Sequence, residues 1–128
     1  MCGSGCDVGV GGAGGLGGVV GAAWWALGAL THARRELAGG QLDEIALAPP
    51  PRLPATAERG VHAMLRRRSA TCLERSLVLQ RWHAAHGQRR DVVIGVNGAT
   101  TDFCAHAWLD GEQLPPDARF DELVRVRP

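Results

Sequence analysis

Two residues of this chain have the side chains of a nucleophile and its base. Cys72 opens a predicted helix that begins in the run Ala-Thr-Cys-Leu-Glu at residues 70–74. His106 lies further along, in the alternating run Phe-Cys-Ala-His-Ala-Trp-Leu at residues 103–109. A thiol at a helix N-terminus with an imidazole on a strand is typical of enzymes that attack a carbonyl carbon with a thiolate.

The helix that carries Cys72 is marked at both ends. Thr71 followed by Glu74 is a capping box, which places Cys72 at the first helical position, and Gly87 supplies the stop. The positive end of the helix dipole and the unpaired N–H groups of the first turn favour thiolate over thiol. The same groups can face a developing oxyanion. The residues expected to anchor this helix in the core are Leu73, Leu77, Val78 and Trp82.

The segment that carries His106 predicts an antiparallel sheet. From residue 91 the hydrophobic period is two, which indicates strands at residues 91–96 and 103–109 with a turn at Asn97-Gly98. One face of the second strand carries Cys104, His106 and Trp108. His106 is flanked by two alanines, and such small neighbours suit a site that admits a substrate backbone.

The base needs an acceptor that orients its ring, and Asp117 is the candidate. If the chain returns after residue 109 through a hairpin loop of two or four residues, Asp117 lies diagonally or directly opposite His106. Asp110 is about 13 Å from His106 along the same strand, too far for a hydrogen bond. Asp121 is the reserve candidate. Two prolines at residues 115–116 can distort the returning strand.

Composition shifts divide the chain into three parts. Residues 1–18 form a Gly-rich flexible N-terminus. Residues 19–54 contain a helix and a Pro-rich connector, and residues 55–128 form the core that carries Cys72 and His106. A helix beginning near residue 55 is expected to end in three consecutive arginines that complement its dipole.

Charge and cysteine usage exclude several classes of protein. The formal net charge is +1 and every basic residue is Arg, so no long-range field favours nucleic acid. The four cysteines do not form the framework of a secreted scaffold, and Cys2 and Cys6 lack a partner pair for zinc. No charged residue lies between Val8 and Ala33, but eleven glycines in the first thirty residues argue against a membrane span. We expect a cytoplasmic protein with free thiols.

The motifs resemble one known family in their order and spacing. They are Cys-Leu-x-Arg-Ser-Leu-x-Leu-Gln at residues 72–80, a helix end at Gly87, Val-Ile-Gly-Val at residues 93–96 and Ala-His-Ala-Trp at residues 105–108. This combination resembles the transglutaminase-like leader peptidases of lasso-peptide biosynthesis, over residues 55–125. The resemblance implies an α+β, papain-like fold with the Cys-bearing helix packed on a small antiparallel sheet and further helices N-terminal.

The resemblance also implies roles for individual residues. Cys72 would be the nucleophile, His106 the base that then protonates the leaving amine, and Asp117 the group that orients the imidazole. The segment after His-Ala-Trp is about two residues shorter than in the family, which leaves Asp110 and Asp121 as alternatives for the acid. The implied reaction is removal of the leader from a ribosomally made bacterial precursor peptide, with no cofactor and no metal.

The same family implies partners. Residues 1–54 lack the content of a winged-helix leader-recognition domain, so the chain is expected to be the split form of the enzyme. A separate small recognition protein would deliver the leader by strand addition, and an ATP-dependent lasso cyclase would receive the freed core peptide. The arginines at residues 66–68 are candidates for docking.

Two other classes of function remain open. A transglutaminase-like acyltransferase would use the same triad with an amine in place of water. A non-catalytic metal or peptide-binding module would use Cys72, Cys104 and His106, a set that lacks a fourth ligand. The remaining histidines are expected to be solvated helix residues; they are His32, His62, His83 and His86.

Overall fold

Helices precede strands along the chain. The computed structural model describes residues 15–40, 42, 45–97, 104–114 and 120–128, and within these ranges it contains three α-helices, one 3₁₀ turn and three β-strands. In chain order they are α1 Leu16–Ala38, the 3₁₀ turn Ala55–Ala57, α2 Glu58–Arg67, α3 Cys72–Ala85, β1 Val92–Asn97, β2 Cys104–Leu109 and β3 Asp121–Val126. The α+β architecture predicted from the sequence is confirmed.

α1 packs closely against α2 through small residues. The buried face of α1 consists of Ala22, Ala26, Ala29, Leu30 and Ala33. Gly60 of α2 lies so close to α1 that a Cβ at this position would collide with the carbonyl oxygen of Val19. Because α1 covers Val61 and Leu65 of α2, it is part of the same hydrophobic core as the helix that carries Cys72.

α3 lies between the helical layer and the sheet. Its buried Trp82 packs against Trp25 of α1, with the ring centroids 5.7 Å apart. The side-chain amide of Gln80 donates to the carbonyl oxygens of Arg90 at 2.9 Å and Val126 at 2.8 Å. These two bonds fix α3 against the segment before β1 and the end of β3. The helix ends as predicted, because Gly87 has a φ of +79°.

The sheet has the strand order β2-β1-β3 with antiparallel neighbours. β3 pairs with β1 and not with β2, and residues 112–114 after β2 are not part of a strand; the remainder of the hairpin predicted to place Asp117 beside His106 lies outside the described residues. Among the described strands, β2 has β1 as its one neighbour, and its other edge is turned toward Cys72 of α3.

Three histidines differ from their prediction as solvated residues. The rings of His62 and His83 lie 3.3 and 3.2 Å from the carboxylate of Glu58. Both ring nitrogens of His86 are in hydrogen bonds with backbone carbonyls, and the ring lies against Trp82. These rings are half-buried because α3 packs on α2 and on the connector. Of the helices in the described ranges, none has the length and apolar composition that a membrane crossing requires.

Candidate active site

The first turn of α3 is held by the predicted capping box. The Thr71 N–H donates to the Glu74 carboxylate at 2.9 Å, and the Glu74 N–H donates to the Thr71 hydroxyl at 3.3 Å. The capping box thus provides acceptors for two of the four N–H groups that a helix start leaves without an intrahelical partner. Cys72 therefore opens the helix from a fixed position, and its free thiol is half-buried.

The register of the sheet explains how the backbone of β2 reaches this thiol. The Asp110 N–H donates to the Asp91 carbonyl at 2.8 Å, and Gly95 lies opposite His106. Since hydrogen-bonded pairs alternate along an antiparallel ladder, the N–H of Ala107 points away from β1 toward the open edge. There it hydrogen-bonds to the Cys72 thiol.

The structure brings Cys72 and His106 into direct contact. A side-chain hydrogen bond with His106 is the main cause that lowers the pKa of the Cys72 thiol. Burial opposes this effect, whereas the backbone groups of Ala107 and Leu73 support it. A lowered pKa increases the thiolate fraction near neutral pH, and thiolate is the nucleophilic form. The pair thus has the electrostatics of an activated nucleophile.

An aromatic cluster surrounds the His106 ring. The ring stacks on Trp108 with centroids 5.9 Å apart and planes at 19°, and it lies 5.4 Å from the ring of Phe120. Trp108 and Phe120 also contact each other, with centroids 5.8 Å apart. Rings packed in this way restrict the rotamers of His106, so the imidazole is held toward the thiol.

The candidates for an orienting acid have different positions. Asp117 lies outside the described residues. Asp110 hydrogen-bonds to Arg125 at 3.1 Å, so its carboxylate is already in an ion pair. Asp121 opens β3 and is exposed, with Val96 of β1 as its pairing partner. Of the three predicted site residues, the structure therefore brings Cys72 and His106 together, and the role of Asp117 stays a prediction.

Several contacts around this pair go beyond the sequence motifs, which contain Arg75 and Ser76 without assigning them a role. Arg75 on α3 contacts Glu112, which follows β2, at 3.4 Å, and this ion pair ties the nucleophile's helix to the end of the His106 strand. The contact of Phe120 with His106 and that of the Ala107 N–H with Cys72 also lack a signal in the sequence, because contacts between separate elements leave no periodic pattern. Ser76, one turn after Cys72, has a buried hydroxyl without a hydrogen-bond partner in the described structure.

The described parts of the chain contain no group of side chains that would support the alternative hypothesis of a metal site. Within them, no three side chains of His, Cys, Asp or Glu come together as a metal site would require. The side chain of Cys104, like Cys2 and Cys6, lies outside what the structure describes.

The match to a protein family covers most of the chain. Residues 18–125 match the sequence model of the transglutaminase-like superfamily. The match extends from α1 to β3 and includes both Cys72 and His106. None of the curated proteins and none of the solved structures matches this chain.

Proposed function

The chain belongs to the transglutaminase-like superfamily, and from that premise we propose that it is a cysteine peptidase that removes the leader from a lasso-peptide precursor. The superfamily includes cysteine proteases and acyltransferases. The observation that carries the proposal is the hydrogen-bonded pair of Cys72 and His106 at a helix start. The resemblance of the Cys-Leu-x-Arg-Ser-Leu and His-Ala-Trp motifs to those of the leader peptidases is the second support for the proposal.

In this proposal the reaction proceeds in two steps. The Cys72 thiolate attacks the carbonyl carbon of the scissile bond, and His106 transfers the proton to the leaving amine, which begins the core peptide. Water, deprotonated by His106, then hydrolyses the thioester and releases the leader as a carboxylate. Backbone N–H groups at the start of α3 face the oxyanion, and Asp117 would orient the imidazole. The reaction needs no cofactor.

The proposal includes the predicted partners. A separate small leader-recognition protein would present the leader, and a lasso cyclase would close the macrolactam on the freed amine. The sheet offers a place for strand addition, because among the described strands β3 pairs with β1 on one side only and its Leu123 and Val124 are exposed. A cytoplasmic location fits a catalytic thiol that must remain reduced.

Mass spectrometry of a precursor peptide tests this function. The peptide encoded beside this chain's gene is incubated with the protein and the neighbouring small recognition protein, in parallel with Cys72→Ala. We expect cleavage at one bond between leader and core, absent in Cys72→Ala. Incorporation of an added amine at that carbonyl would instead identify an acyltransferase. A folded protein that binds the leader and leaves it intact would contradict the peptidase.

A further inference from the structure

Five of the chain's fourteen basic residues lie toward the C-terminal ends of α1 and α2 or just after α2, which ends five residues before the candidate nucleophile. They are Arg34, Arg35, Arg66, Arg67 and Arg68, and we call them the arginine surface. We propose that the arginine surface binds an acidic segment of the peptide substrate and directs it across Cys72. This inference rests on the proposed function, since it names a feature of the substrate of that same site.

The helices place this surface at the entrance of α3. Arg66 and Arg67 lie in the last turn of α2, and the chain reaches Cys72 four residues after Arg68. A four-residue step spans at most about 14 Å between Cα atoms. The Arg34 guanidinium donates to the carbonyl oxygen of Arg68 at 2.9 Å, which joins the C-terminal half of α1 to the end of α2. The charges are therefore carried on connected helix ends.

The positive charge of the arginine surface is largely uncompensated. Arg34 contacts Glu74 at 3.2 Å, and that carboxylate also caps α3. The other four arginines are exposed, and among the residues that the structure describes none of them has a carboxylate in contact. Like charges gathered in this way attract an anionic ligand.

A peptide fits this surface better than a nucleic acid. The net charge of the whole chain is only +1, so the attraction is local to the end of the molecule where Cys72 lies. A peptide of six extended residues spans about 20 Å, enough to reach from Cys72 across α2's last turn. A substrate whose scissile bond is at Cys72 is therefore long enough to reach the arginine surface, and carboxylates on that part of the peptide would form ion pairs with it.

Fluorescence anisotropy with a defined probe tests the proposal. The probe is a fluorescein-labelled octapeptide of alternating Glu and Gly, compared with its Gln analogue. It is titrated with the wild-type chain, Cys72→Ala, the double variant R66Q/R67Q and the matched control R52Q/R89Q. Arg52 precedes Leu53, whose carbonyl is bonded to His86, and Arg89 follows Gly87. The control therefore removes equal charge at the opposite end of α3, about 20 Å from Cys72.

We expect the Glu peptide to bind the wild-type chain, Cys72→Ala and R52Q/R89Q alike, and R66Q/R67Q about tenfold more weakly. The Gln peptide should show no such difference. Equal weakening in both double variants, or no preference for Glu over Gln, would overturn the proposal. Tighter binding of a labelled oligothymidine than of the Glu peptide, lost in R66Q/R67Q, would also overturn it. Binding of the Glu peptide by Cys72→Ala does not depend on peptidase activity. A failure of the proposed function and a failure of this proposal are therefore distinguishable.

Discussion

Gly95 of β1 lies against the indole of Trp108 on β2. A Cβ at residue 95 would be 2.7 Å from the Cη2 atom of Trp108 and 3.1 Å from the carbonyl oxygen of Asp121. The absence of a side chain thus allows Trp108 to lie over β1, where it stacks on His106. The orientation of the candidate base depends, through one ring, on a glycine in the neighbouring strand.

Substitution of Gly95 by Ala should therefore disturb the site as well as the fold. The added methyl group must displace either Trp108 or the backbone of β3, at a cost of about 1 to 3 kcal/mol in the free energy of unfolding. Urea denaturation measures this cost, and Cys72 alkylation at pH 7 should slow. Gly28→Ala is the matched control: it lies on α1 with open space around it and should stabilise by about 1 kcal/mol. Gly95→Ala behaving like this control would contradict the close contact.

The ion pair of Arg75 and Glu112 should position the two catalytic elements relative to each other. Both side chains are mostly buried, and each belongs to an element that carries one member of the pair. Arg75→Met and Glu112→Gln should each slow alkylation of Cys72, and the double variant should be no slower than either single one. Additive effects would show that the two residues act independently. Thermal melting of each variant separates loss of fold from loss of position.

Ser76→Ala should stabilise the protein. The buried hydroxyl has no hydrogen-bond partner in the described structure, and an unsatisfied buried group costs free energy that Ala does not. We expect a gain of about 1 kcal/mol in the free energy of unfolding, with peptide cleavage unchanged. Loss of cleavage in a more stable Ser76→Ala protein would instead give the hydroxyl a part in the reaction.

Glu58 should make stability depend on pH below about 4.5. Hydrogen bonds with His62 and His83 hold the pKa of Glu58 well below its usual range, although burial opposes this. A carboxyl with a depressed pKa stabilises the fold above its unfolded pKa, and that contribution is lost as pH falls. Between pH 7 and pH 3 the wild-type chain should lose about 1 kcal/mol more than Glu58→Gln, a modest figure because part of the carboxylate side chain is exposed to solvent. Parallel urea titrations of the two proteins measure the difference; identical losses would contradict the assignment.

The sequence predicts the local elements well because their signals are local. The capping box at Thr71 sets the start of α3, and alternation of apolar residues sets β1 and β2. Each of these signals is contained in a few consecutive residues. The helices and strands that they predict begin and end within one to three residues of the predicted bounds.

The strand order could not be predicted in the same way. A hairpin after residue 109 is the usual local solution, yet the next described strand, β3, pairs with β1, and the other edge of β2 is turned toward Cys72. The choice of strand partner depends on tertiary contacts. The contacts of Phe120 with His106 and of Glu112 with Arg75 are also tertiary. None of these has a signature in spacing or composition.

The central claim is that His106 activates Cys72, and the pH dependence of thiol alkylation tests it most directly. In a background with Cys2, Cys6 and Cys104 changed to Ser, the rate of reaction with iodoacetamide is measured from pH 5 to pH 10. An unperturbed thiol has a pKa of about 8.5. We expect a midpoint below that value in the wild-type background, and a higher midpoint in His106→Ala, so that the rate at pH 6.5 falls roughly tenfold. The same midpoint in both proteins would contradict it.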